Sequence, residues 1–260
     1  MKARAAIVAG SGPAGTRYPV LRSDPPLLLR PTPDAVQLVG GAAGPLGGDR
    51  LRLDVGVEAG ARLRVGSAAA TVVLPGPTPS EVDIDVQVGE GAHLAWSPEP
   101  LVSVRGSRHR VDVHIGLDIG ATLRWDETIV LGRTGEEPGQ VATSLRIERQ
   151  GRVLHHQNLE LGGGDGWRSP AVIGSATVIR TMVEIGPPAW SATPTDRSDV
   201  WAAAFPLADD AVLAQVMGTD PVAVGAAADE LIGYGSLADG RTIRPKDQLS
   251  SSPPTEGHMT

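Results

Sequence analysis

Two acidic side chains stand where an ionised carboxylate needs a reason, and a tight glycine-rich loop delivers a third. Asp49 ends the glycine-rich run GGAAGPLGGDR (40–50), and Asp126 with Glu127 interrupts the apolar segment WDETIVLGR (125–133). A carboxylate among apolar residues must be paired, hydrated or functional, because leaving it bare away from water is costly. Neighbours in an extended chain point to opposite faces. Trp125 holds a core position in the periodicity set out below, so Glu127 shares its side and Asp126 points away with Thr128 and Val130. Without a bulge the two cannot act as a carboxylate pair on one substrate.

Other chemistries find less support. The chain has no cysteine, which removes disulfides, thiolate metal sites and cysteine nucleophiles. Of the histidines, His114 lies two residues from Asp112 on an outward face, and the adjacent His155 and His156 must diverge. Neither HxxxH nor HExxH occurs, so these side chains read as surface polar groups. The serine-hydrolase elbow G-x-S-x-G is absent, as is any Gly-Lys-Ser or Gly-Lys-Thr phosphate loop. Gly10, Gly12 and Gly15 spell G-x-G-x-x-G, but Pro19, Pro25, Pro26 and Pro31 follow where a dinucleotide site needs a helix. The stretch AAIVAGSGPAGTRYP (5–19) therefore predicts a strand and a turn without bound flavin or nicotinamide. No catalytic constellation emerges; the expectation is a binding or scaffolding protein, not an enzyme, with no tightly bound cofactor.

The elements that position these carboxylates follow from composition and period. The 260 residues include 33 Gly and 22 Pro punctuating short runs of Val, Leu and Ile, a pattern of strands and turns. Segments LRLDVGVEAGARLRV (51–65), VDIDVQVGEGAHLAW (82–96) and VDVHIGLDIGATLRW (111–125) superimpose on Gly60, Gly91 and Gly120, at spacings of 31 and 29 residues. Apolar residues alternate with polar ones in each, at matching positions on both sides of the Gly-Ala pair. Period two means strands. Each unit is strand, tight turn, strand, and no unit can bury its own face alone. Val55, Val65, Val86, Trp96, Ile115 and Trp125 are expected inside. The fold class is mainly β: stacked, solenoid-like sheets built from strand-turn-strand repeats of roughly 30 residues. Beyond the repeats, 144–161 reads as a hairpin turning at Arg149-Gln150-Gly151, and 171–185 as a strand pair bent at Gly174. Two short helices are expected near the C-terminus, over 207–218 and 220–233, the second capped by Asp220 with Pro221 in its first turn. Residues 1–235 form one β domain, and the polar, aperiodic 236–260 a disordered tail.

The formal charge of −7 with scattered basic residues argues against a nucleic-acid partner. No apolar run approaches the length of a membrane span, and AAIVA is too short for a signal-peptide core, so a cytoplasmic protein without membrane contact is expected.

Taken in order, GGAAGPLGGDRLRLDV, GAHLAWSPEPLVSVRGS, LRWDETIVLGRTGE and SLRIERQGRVL resemble the urease accessory protein UreD (UreH) family, from about residue 3 to residue 233. The specific pieces are Gly47-Gly48-Asp49, the W-x-P-x-P block Trp96–Pro100, and W-D followed by Leu131-Gly132-Arg133. The resemblance implies a scaffold without catalysis of its own that binds apo-urease, a UreF-type helical accessory protein and a UreG-type GTPase carrying nickel. It also implies a mainly β fold with a polar path for nickel in transit. Asp49 and Asp126 match family residues on that path. Weak oxygen ligands and water suit an ion that must be passed on, and a thiolate would hold it too firmly. The chain departs from the family at Glu127, where an apolar residue is usual, and at Gln157, which replaces an acidic one. TVVLPGP (71–77) replaces a Lys-Phe-Tyr-Arg-like segment. Two rivals are a glycan-active β-solenoid using Asp49, Asp126 and Glu127, disfavoured by the few aromatics, and a generic β adapter without a metal role.

Overall fold

A computed structural model describes residues 1–231 apart from 14, 165 and 187–198. In chain order its strands are β1 (Lys2–Gly12), β2 (Gly15–Arg22), β3 (Leu27–Pro31), β4 (Val36–Gly40), β5 (Arg50–Val57), β6 (Arg62–Ser67), β7 (Thr71–Val73), β8 (Ser80–Val88) and β9 (His93–Trp96). They continue as β10 (Leu101–Ser103), β11 (Arg108–Leu117), β12 (Thr122–Leu131), β13 (Gln140–Arg149), β14 (Arg152–Leu161), β15 (Val178–Ile185), β16 (Val200–Ala208) and β17 (Ala211–Gly218), followed by helix α1 (Pro221–Leu231).

The three sequence repeats are β5-β6, β8-β9 and β11-β12. Each sends its first strand into a seven-stranded sheet, ordered β14-β13-β11-β8-β5-β1-β2, and its second into a ten-stranded sheet. The main path of the larger sheet runs β16-β17-β15-β12-β9-β6-β4-β3, with β7 and β10 attached through β12. Repeats stack in parallel: Val55 pairs with Val86 and Val86 with Ile115 in one sheet, Val65 with Trp96 and Trp96 with Trp125 in the other. These partners are the residues that superimpose in the sequence, so the internal repeat is the register of the sheets. Turns stack as well. Ala61, Ala92 and Ala121 donate their N–H groups to the carbonyls of Glu58, Gly89 and Asp118, while Gly60 donates to Glu90 and Gly91 to Ile119. Gly60, Gly91 and Gly120 have φ of +66°, +61° and +66°, a conformation costly for any residue with a Cβ.

The core lies between the sheets, where Val55, Val65, Val86, Trp96, Ile115 and Trp125 are all buried. Trp96 and Trp125 stack with ring centroids 4.7 Å apart and planes 6° from parallel. A second cluster lies outside the larger sheet, where Val224, Ala227, Ala228 and Leu231 of α1 cover Val178, Met182, Ala214 and Val216.

AAIVAGSGPAGTRYP is strand, turn and strand: β1 and β2 form an antiparallel hairpin with no helix after the glycines. The hairpin at 149–151 is also present, with Gln150 and Gly151 at φ of 50° and 74° as its two-residue loop demands. Two expectations are overturned. Residues 207–218 are not a helix; Asp209 and Asp210 form the turn of the β16–β17 hairpin. Strand β17 is covered by the seven-stranded sheet on one face and α1 on the other, so apolar residues fall on both sides and the period-two signal is lost. The segment 171–185 is one strand, not two: residues 171–175 form a turn that buries Ile173, and only β15 is extended. The second helix is present, with the Asp220 carboxylate accepting from the Val222 N–H at 3.0 Å. The tail from 236 lies outside the described residues. No helix among the described residues is long and apolar enough to cross a membrane.

Candidate functional site

Asp49 is positioned by a loop that only glycine permits. A Cβ on Gly47 would lie 2.5 Å from Gly76 backbone atoms, so the GGD turn and the Pro75-Gly76-Pro77 turn close on each other through paired glycines. Gly47 donates to the Leu74 carbonyl at 3.1 Å and Gly48 to that of Pro79 at 3.2 Å. The loop closes on itself: Asp49 N–H donates to the Leu46 carbonyl, and its carboxylate accepts from the Leu46 N–H at 2.9 Å. The other carboxylate oxygen takes the amine of Met1. Burial alone would raise this carboxyl; the amine and the Leu46 N–H outweigh it and hold Asp49 below the usual range.

Asp126 and Glu127 lie at a change of neighbour. Along one edge β12 pairs with β9 through Trp125 and with β10 from Ile129, leaving Asp126, Glu127 and Thr128 between the two pairings. The linker from β9 to β10 is the W-x-P-x-P block, whose prolines cannot donate to a ladder. The family-like W-P-P and W-D pieces therefore meet in space. The two carboxylates diverge as the alternation requires. Glu127 faces inward with Trp125 and lines a cavity between the sheets, and Asp126 faces α1.

Asp126 is 4 % exposed and fully engaged. Arg180 of the neighbouring β15 donates Nε to Oδ1 at 3.0 Å and Nη2 to Oδ2 at 2.8 Å, a two-pronged pair. The same guanidinium reaches α1, donating to the Gly225 carbonyl at 3.4 Å and lying 3.6 Å from Asp229. Desolvation opposes the charge on Arg180, but Asp126 more than compensates and its pKa is raised. Burial raises Asp229.

On the cavity side, burial pushes Glu127 up to about 7, with Asp126 adding to the rise. The Trp125 indole N–H opposes burial by more than Asp126 adds to it, although no well-formed hydrogen bond joins it to the carboxylate. His109, from β11 across the cavity, is held neutral with its pKa lowered to about 4 by burial; its Nδ1 shares a 2.8 Å hydrogen bond with Ser80 Oγ. Sequence reasoning passed over His109, Ser80 and Arg180. His109 could have been found from its core phase on β11, but nothing in the sequence pairs Arg180 with Asp126.

Asp49 and Asp126 are not brought together. One precedes β5 of the seven-stranded sheet, and the other faces α1 across the far side of the larger sheet. Neither lines the large cavity. Glu127 lines that cavity without them, so the three carboxylates do not form one glycosidic site. Asp112 and His114 lie outward as expected, in a shallow depression of about 230 Å³ that includes His156. Among the described residues no group of three or more His, Asp or Glu could hold a metal ion.

A UreD urease accessory protein family model matches residues 2–238. The chain is 42 % identical over 187 residues to the urease accessory protein UreD of Streptomyces avermitilis, covering 68 % of this chain and 74 % of that one. It is 39 % identical over 270 residues to the UreD of a Parafrankia species, covering 92 % and 91 %, and 38 % identical over 231 residues to that of Streptomyces coelicolor, covering 85 % and 91 %.

Proposed function

Because the chain belongs to the UreD family of urease accessory proteins, we propose that it is a maturation scaffold that helps load nickel into apo-urease. In this reading it binds apo-urease, a UreF-type helical partner and a UreG-type GTPase in the cytoplasm, and performs no chemistry of its own. The observation that supports it best is the fate of the motif carboxylates: among the described residues, Asp49 and Asp126 are the carboxylates withdrawn from solvent to 4 % exposure. Each is held by a cation that an incoming divalent ion could replace, so nickel would exchange at two separate stations. Such oxygen ligands bind nickel weakly enough to release it.

A second reading of Asp126 has its own support. The fork to Arg180 and the reach to Gly225 and Asp229 make it a clamp fastening α1 to the sheet. The proposals differ in what rescues a lost carboxylate, as developed below. The scaffold reading itself is tested by affinity capture of this chain with urease subunits and metal analysis of the eluate. Co-elution with nickel-poor urease is expected. Failure to retain urease with the other accessory proteins present would overturn it.

A further inference from the structure

Where β12 changes partner, the sheets part around a cavity of about 640 Å³ whose walls are mostly aliphatic. Leu53 and Ile84 face it from one sheet and Leu38 and Ile129 from the other. A divalent cation needs several ligands gathered at one point, and among the described residues no group of three His, Asp or Glu gathers here. A mostly apolar concavity with a few converging polar groups is instead the form of a small-molecule site. One polar group on the larger sheet's wall is a donor left without a partner. Trp96 lines the cavity, is 2 % exposed, and its indole N–H has no acceptor. An indole N–H buried without an acceptor costs free energy that a ligand's acceptor would recover.

We propose that this cavity binds a small neutral apolar molecule bearing one hydrogen-bond acceptor, such as a carbonyl, which takes the Trp96 indole N–H while its body fills the aliphatic walls. The inference stands apart from the urease reading, since it uses neither Asp49 nor Asp126.

Nile red, a neutral dye with a ring carbonyl, tests it on the full chain. Its emission should rise saturably at about one dye per chain, as a single site requires. Leu53→Trp fills the cavity from its wall, and Ala69→Trp obstructs it from an exposed loop at its rim. Both should abolish the saturable signal. Ala69→Trp decides the matter should the core variant fail to fold, which far-UV circular dichroism reports. Trp96→Phe keeps the ring but removes the donor, and should weaken the dye about tenfold, the equivalent of one buried hydrogen bond. Absence of saturable binding, or binding unchanged in a folded Ala69→Trp chain, overturns the site. Unchanged affinity in Trp96→Phe overturns the assigned acceptor chemistry.

Discussion

Glu127 and His109 face the same cavity with opposite consequences for stability. Glu127 is raised to about 7 in the folded chain, mainly by burial, so the native state holds its proton more tightly than the unfolded chain does. Its contribution is fully present below the ordinary carboxylate range and is lost as pH rises toward 7, a difference of roughly 3 kcal/mol. Glu127→Gln should therefore gain stability relative to the parent as pH goes from 5 to 8, read from urea denaturation midpoints. Parallel pH dependence in both proteins would contradict the burial. His109 runs the other way. Lowered to about 4, it contributes stability that is present above the ordinary histidine pKa and lost as pH falls from there through 4. His109→Gln should flatten the acid limb of the same curve. The divergence of Asp126 and Glu127 was legible from the sequence, because strand alternation follows from backbone geometry alone. Their partners were not. Arg180 is 54 positions from Asp126, and the contact depends on the antiparallel register of β12 and β15.

The strand-turn-strand unit is the element in which sequence and structure agree most closely. Its offsets of 31 and 29 residues are the pairing offsets of Val55 with Val86 and of Val86 with Ile115. Trp125 lies fully buried against Trp96, so Trp125→Ala should cost about 3–5 kcal/mol, the range for truncating a large core side chain. A loss under 1 kcal/mol in equilibrium unfolding would contradict its place in the packed core. The region after β14 was less legible because β17 is covered on both faces, and a short strand apolar all round looks like a helix. Strands β3 and β4 escaped for another reason: each has only five residues, too few to display a period. At α1 the clamp makes a sharp prediction. Asp126→Ala leaves the mostly buried Arg180 without its fork and should cost about 3–5 kcal/mol. Asp126→Leu with Arg180→Met removes both charges and should recover most of that loss, measured by thermal unfolding. A double variant as unstable as the single one would refute the clamp.

At the scale of the whole molecule, a two-sheet β-solenoid with a helix fastened to its outer face presents broad surfaces and no assembled catalytic centre among the described residues. The Asp126→Leu, Arg180→Met double variant separates the two roles of the carboxylate, because it restores the fold without restoring a metal ligand. If Asp126 is a nickel station, the double variant should be stable and bind urease yet leave it poorly loaded; if Asp126 is only a clamp, loading should return with stability. The scaffold claim itself meets its most direct test in nickel bound per urease active site, measured by elemental analysis. Urease would be purified from cells expressing it with the complete accessory set, with and without this chain. The account predicts that urease made without it is largely nickel-free and inactive, and that supplying the chain restores both. Full nickel occupancy in its absence would contradict the account.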